Sequence, residues 1–247
     1  AKSFVIQKNI NTTNSNGFFL TADCFFSLSK NCKIDNSITF SKIKNYEYLG
    51  SFFMQNLNKK KITKDADLKY DILYLAGNGL KPGLYYDIYK SYADDYLLQL
   101  NWLKKISNHF INLKIGFKHH SNNNDKFEEN FLYGSNVKII DKTINSYHLV
   151  EQSSFICSWA STMILESIAL NKYSFFLNPG SRNIQFLKGI KNYEKISISN
   201  YDEFLEMYNY AKKNNFIRNN FNEDYCVKKN DICNEIINCI DNYTEIK

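Results

Sequence analysis

From Tyr70 onward the sequence alternates short apolar runs with longer stretches of helical spacing. The runs are Tyr70–Ala76 (YDILYLA), Leu113–Phe117, Val137–Ile140, Phe155–Ser158 and Tyr173–Leu177, four to seven residues each. Length and aromatic or β-branched content mark them as strands buried on both faces. Between them, Asp94–Phe110, Asp125–Tyr133, Ser146–Gln152 and Thr162–Leu170 carry apolar residues at helical spacing. Ile196–Ser199 reads as a further strand, followed by helices over 202–214 and 224–242. Strand–helix alternation predicts an α/β fold: a Rossmann-like parallel sheet with helices on both faces. Residues 56–69 (NLNKKKITKDADLK) are polar and charged and mark a boundary. The expected division is an N-terminal segment, 1–69, and a Rossmann-like domain with C-terminal helices, 70–247. The first segment offers only short apolar pieces, Phe4–Gln7, Phe18–Leu20 and Asp23–Leu28.

The net charge of +6 accompanies Lys and Asn scattered throughout, and the longest basic run is Lys59-Lys60-Lys61. That run reads as a solvated loop, with peripheral contact to anionic lipid headgroups of an inner membrane as the alternative. Aromatic residues make up 16% of the chain without interleaving with a basic motif, so they belong to a core and no nucleic-acid partner is expected. No run approaches the roughly 18 apolar residues of a membrane span, and no basic-then-apolar leader opens the chain. The six cysteines, Cys24, Cys32, Cys157, Cys226, Cys233 and Cys239, form no CxxC, and no His sits at zinc-finger spacing. They read as free thiols in a reducing cytoplasm, with no metal or cofactor expected. Cys226 and Cys233, seven residues apart, are expected on one face of a C-terminal helix.

In a parallel sheet the loops at the carboxyl ends of the strands line a common crevice. Three of these loops carry anion-binding chemistry. Gly77-Asn78-Gly79 lets backbone approach a ligand and expose N–H groups. Lys118, His119 and His120 supply charge and donors. Ser158 ends a strand, and Ser161 and Thr162 open the next helix, whose free N–H groups favour an anion. Ser161 is equally placed as an ordinary N-cap. Glu166 follows Thr162 by four residues, one turn further along the same face. There it can accept two hydrogen bonds from neighbouring ribose hydroxyls; the plainer alternative is a surface carboxylate paired with Lys172. Asp94 and Asp95 are the paired carboxylates nearest a strand-end loop, and they read as the acidic start of the long helix. No catalytic residue is assigned.

A His at a strand end, followed later by S-T-x-x-x-E on a helix, resembles the donor half of GT-B glycosyltransferases. The likeness is to bacterial surface-polysaccharide enzymes: polysialyltransferases, capsular Kdo transferases and CDP-glycerol polymerases. Those carry a His-Pro and a Ser-Ser/Thr motif that hold a cytidine nucleotide's phosphate. His120 stands at the first motif, with Ser121 where proline is expected; Ser161 and Thr162 stand at the second, and Glu166 at the ribose-binding acid. The resemblance covers about residues 70–190. It implies a GT-B C-terminal-type domain and a glycosyltransferase of surface-polysaccharide (capsule) biosynthesis. Its expected partners are a nucleotide-sugar donor, CMP-sugar favoured, and a glycan or lipid-linked acceptor. Residues 1–69 are too short for a complete acceptor domain, so this chain alone is expected to transfer no sugar. The alternatives are a UDP-sugar epimerase-like enzyme and a non-catalytic nucleotide- or sugar-binding module of a glycan assembly complex.

Overall fold

A computed structural model describes residues 2–7, 20–32, 41–57, 68–77, 90–120, 125–159, 161–179, 190–216 and 222–245. Two parallel sheets organise them. The first joins β1 (Phe4–Ile6), β2 (Thr21–Ser27) and β3 (Lys42–Tyr48) in that order. The second contains β4 (Ile72–Leu75), β5 (Ile115–Lys118), β6 (Val137–Ile140), β7 (Phe155–Ser158), β8 (Tyr173–Leu177) and β9 (Ser197–Ile198). Its spatial order is β6-β5-β4-β7-β8-β9, every pair parallel. Counted from β4 this is 3-2-1-4-5-6, the order of doubly wound nucleotide-binding sheets.

The helices are α1 (Lys90–His109), α2 (Asp125–Leu132), α3 (Ser146–Gln152), α4 (Met163–Ala169), α5 (Tyr201–Lys213), α6 (Asn222–Tyr225) and α7 (Ile232–Glu245). The period-2 pleat sends alternate residues of each strand to opposite faces. Ile72, Tyr74, Phe117 and Phe155 pack with Leu100 and Trp102 of α1 and Phe204 and Tyr208 of α5. Leu73, Leu75, Ile156 and Phe176 meet Leu149 of α3, Ile164, Leu165 and Ile168 of α4, and Tyr225 of α6. Ring stacks cross the strand pairs, Tyr74 on Phe117 and Phe155 on Phe175, both at 5.3 Å. The buried Tyr74 hydroxyl donates to Gln99 Oε1 at 2.7 Å. The 37 aromatics of the sequence thus include many of the largest core side chains.

Three sequence expectations are corrected. The N-terminal segment holds a strand, β3, that its polar sequence (KIKNYEY) concealed, because this strand is half exposed. The strand expected over Ile196–Ser199 is reduced to Ser197–Ile198 by a 3-10 turn at Tyr193–Ile196. The helix expected over 224–242 breaks after Tyr225 and restarts at Ile232, where Asp231 Oδ1 accepts from Asn234 N as a cap. Cys226 and Cys233 therefore share no helix face. Cys226 is buried against Met54 Sδ, 3.8 Å away, and Cys233 is half-buried on α7.

The two sheets are joined twice, by the chain leaving β3 and by the return from α6 to α7. α7 lies on the first sheet, with Ile232 and Ile236 against Cys24, Phe26 and Leu49. The second connection also meets the end of β2: Val227 N donates to Leu28 O at 2.9 Å. A Cβ on Gly50 would stand 1.8 Å from Val227 O, and its φ of +81° is left-handed. Among the described residues no helix is long and apolar enough to cross a membrane. Gly50→Ala is expected to destabilise the protein by at least about 2 kcal/mol, from left-handed strain plus the clash. The fall of the urea midpoint at unchanged slope measures it.

Candidate functional site

The strand order reverses between β4 and β7, and there the loops diverge and open a crevice at the carboxyl edge. A cavity of about 530 Å³ occupies it. The end of β4 contributes Leu75 and Ala76, and the end of β5 contributes Lys118, His119 and His120. The loop before α4 contributes Ser161, and α4 contributes Met163. Sequence reasoning missed the fourth wall, Lys142 to Ser146, which follows β6. Its signal was present: a polar turn after a strand, closed by Asn145, whose Oδ1 caps α3 at Tyr147 N, 2.9 Å. Asn78, Gly79 and Ser121 lie outside the described residues, while Gly77 is buried just beyond β4.

Lys118, Lys142, the two histidines, Asn145 and the hydroxyls of Thr143, Ser146 and Ser161 line the cavity beside Leu75, Ala76, Ile144 and Met163, and no acidic residue is in the described lining. Lys118, almost wholly buried, donates from Nζ to Asp141 O at 2.8 Å and so ties β5 to the loop after β6. The Asp141 carboxylate accepts from Thr143 N and Oγ1, both at 2.7 Å, which holds its pKa below the ordinary value. The two histidines are separated by the structure. His119 is buried, its ring edge-on to Phe117 at 5.1 Å and its Nδ1 3.8 Å from Glu128 Oε2. Glu128 also accepts from Tyr96 OH at 3.0 Å. His120 is half-buried, and desolvation pulls its pKa below the ordinary 6.5.

Ser161 acts as the start of α4. Its carbonyl accepts from Ile164 N at 3.0 Å, and its Oγ accepts from Met163 N at 3.3 Å. Thr162 is already helical, and its side chain makes no cap bond. Ser158 ends β7 with its hydroxyl fully buried, without a hydrogen-bond partner among the described residues.

Glu166 is 3% exposed, and its carboxylate accepts from Ser51 Oγ and from Tyr147 OH, the latter at 2.9 Å. Burial raises its pKa, and the two hydroxyl donors oppose the rise. The surface pairing with Lys172 is overturned: Lys172 Nζ donates to Glu151 O at 2.6 Å and Ser153 O at 3.0 Å. Asp94 is exposed and Asp95 buried within α1, which begins at Lys90 rather than at the acids. Neither lines the cavity.

A second cavity, about 580 Å³, lies around Asp71, His109, Phe110 and Lys212 at the opposite edge of the sheet. Sheets of this order bind ligands at the carboxyl edge, so the first cavity is the candidate site. Among the described residues no group of three or more His, Cys, Asp or Glu is placed to hold a metal.

Neither a protein-family model nor a curated protein matches the sequence. Solved structures do match in shape. MnaA from S. aureus in its UDP co-structure superposes with a TM-score of 0.60 at 14% identity, covering 92% of this chain and 61% of that one. The UDP-GlcNAc 2-epimerase of Neisseria meningitidis bound to UDP-GlcNAc gives 0.57 at 14% identity, over 90% and 62%. That of Methanocaldococcus jannaschii with UDP-GlcNAc and UDP gives 0.54 at 10%, over 90% and 61%. The fold is of the GT-B type. Identities this low speak for fold alone, and the chain spans about three fifths of the length of these structures. The GT-B fold expected from the motifs agrees with this architecture, and UDP-GlcNAc 2-epimerases are among the similar structures.

His120 gives the site a pH signature. Its folded pKa lies below the unfolded value, so the folded state resists protonation, and the associated stability declines as pH falls below about 6.5 and is lost through the lower folded pKa. An anion in the cavity favours the imidazolium, so binding raises this pKa and tightens as pH falls. NMR titration of His120 should show a midpoint below 6.5 in the free protein and a higher one with inorganic diphosphate bound.

Proposed function

We propose that this chain binds a nucleotide-sugar of the uridine diphosphate class at the carboxyl edge of the six-stranded sheet, as part of an epimerase-like enzyme. The observation that carries this is the cavity at the β4/β7 reversal, walled by Lys118, His120, Lys142 and Ser161 and free of acidic side chains among the described residues. Such a lining suits a diphosphate: Lys118 and Lys142 neutralise it, and the hydroxyls of Ser146 and Ser161 donate to it. Where a reaction cleaves the bond to that diphosphate, the same groups stabilise the departing charge.

The base is argued from the similar structures. Three of them carry UDP or UDP-GlcNAc, so the preference for a CMP-sugar drawn from His120 and Ser161-Thr162 gives way to a UDP-sugar. The likeness to epimerases likewise favours that reading over the CMP-sugar glycosyltransferase.

Calorimetry of the chain with UDP and CMP tests the proposal. UDP is expected to bind at least tenfold tighter, about 1.4 kcal/mol. CMP binding as tightly restores the cytidine reading, and binding of neither removes the site. Replacing Ser161 and Thr162 together by Ala should cost about 1.5–3 kcal/mol of UDP affinity, the range for hydrogen bonds to charged groups. Uridine affinity should stay unchanged, whereas a pure cap would lose stability and leave UDP affinity intact. Incubation with UDP-GlcNAc in deuterated water separates an epimerase from a binding module: only the former exchanges the C2 proton.

A further inference from the structure

Glu166 is an expensive residue where it stands. Its neighbours on α4, Ile164, Leu165, Ile168 and Ala169, are all buried, and a carboxylate among them loses its hydration. Two hydroxyl donors offset part of that loss while filling about half of the carboxylate's acceptor sites. A structural contact alone would be served as well by an amide. The location suggests a different use. Met163, one turn before Glu166 on the same helix face, lines the cavity. So does Ser146, the neighbour of Tyr147. The carboxylate therefore lies beside the cavity, behind a contact that closes it from solvent.

The two donors differ in origin. Tyr147 belongs to α3 and rides on the same sheet as α4. Ser51, 1% exposed, lies 115 residues from Glu166, immediately after Gly50 in the connection that leaves the three-stranded sheet. Resting on the nucleotide reading above, we propose that Ser51 holds the place of a ribose hydroxyl on Glu166 and is displaced by it. Nucleotide and inter-sheet connection then compete for one carboxylate.

A vicinal diol matches the exchange, because one hydroxyl replaces the Ser51 bond and the second fills a free acceptor site. A ligand without the diol cannot replace the Ser51 bond; displacing Ser51 would leave a buried acceptor under-satisfied, so Ser51 stays in place. Selection for ribose thus arises from the bond already present in the free protein. Occupancy of the site also frees residues 49–54 from α4, a shift set by the difference in affinity between the two arrangements.

The test uses the full chain, with UDP and 2′,3′-dideoxy-UDP as probes. Ser51→Ala leaves nothing to displace, so it should bind UDP at least threefold tighter than the parent, while Glu166→Gln binds it more weakly. In the parent, UDP should speed amide exchange over 49–54, dideoxy-UDP should not, and Ser51→Ala should show the fast exchange without ligand. Ser51→Cys, whose thiol is a poorer donor, is expected to move in the same direction should the alanine variant fail to fold. UDP affinity that is equal or weaker in these variants makes Ser51 a support for Glu166 and overturns the exchange. So does unaltered protection of 49–54 in a parent that binds UDP, with the nucleotide reading left standing. A parent that binds no UDP overturns both.

Discussion

The pairing of β4 with β5 on one side and β7 on the other is the constraint from which the rest follows. Parallel strands need crossover connections, and right-handed crossovers fix the face on which each helix lands. Leaving β4 in one direction places α1 and α2 on one face; restarting at β7 in the other places α3 and α4 on the opposite face. Both faces are then covered, so the central strands are buried along their whole length. At the reversal the loops after β5 and β7 run apart, and the cavity between them is a geometric consequence rather than an added feature.

At the rim that this topology creates, buried polar groups are tied to partners across element boundaries. Lys118 reaches the loop after β6, and His119 sits against Glu128 of α2, which Tyr96 of α1 also reaches. These ties fix the backbone at the end of β5 and leave His120 as the histidine with solvent access. The recess beside them carries Lys118, Lys142 and the hydroxyls of Thr143, Ser146 and Ser161 among apolar side chains.

The three-stranded sheet is bound to the larger one through a small junction. Gly50 admits the Val227 carbonyl, Cys226 lies on Met54, and Ser51 reaches Glu166. Close backbone approach is possible there because glycine lacks a Cβ, and the junction touches α4, the helix that closes one wall of the candidate site. A ligand acting on α4 therefore acts on the link between the sheets.

The sequence by itself determined the strands and helices of residues 70–177, because a four-residue apolar run and a 3.6-residue periodicity are local properties. Val137–Ile140, Phe155–Ser158 and Tyr173–Leu177 have the bounds read from their residues. It also placed His120 and Ser161 in strand-end loops, since position after a strand is local too, whereas Lys118, read as loop, is the last residue of β5. Strand β3 was hidden because a half-exposed strand carries no apolar run, and the break at Cys226–Asp231 because buried cysteine reads like any helical apolar residue. Only the tertiary structure decided which of the two histidines is buried, that Lys142–Ser146 forms the cavity's fourth wall, and that Glu166 is held by Ser51. Those are contacts between segments tens to more than a hundred residues apart, and no local period records which distant group a side chain will meet.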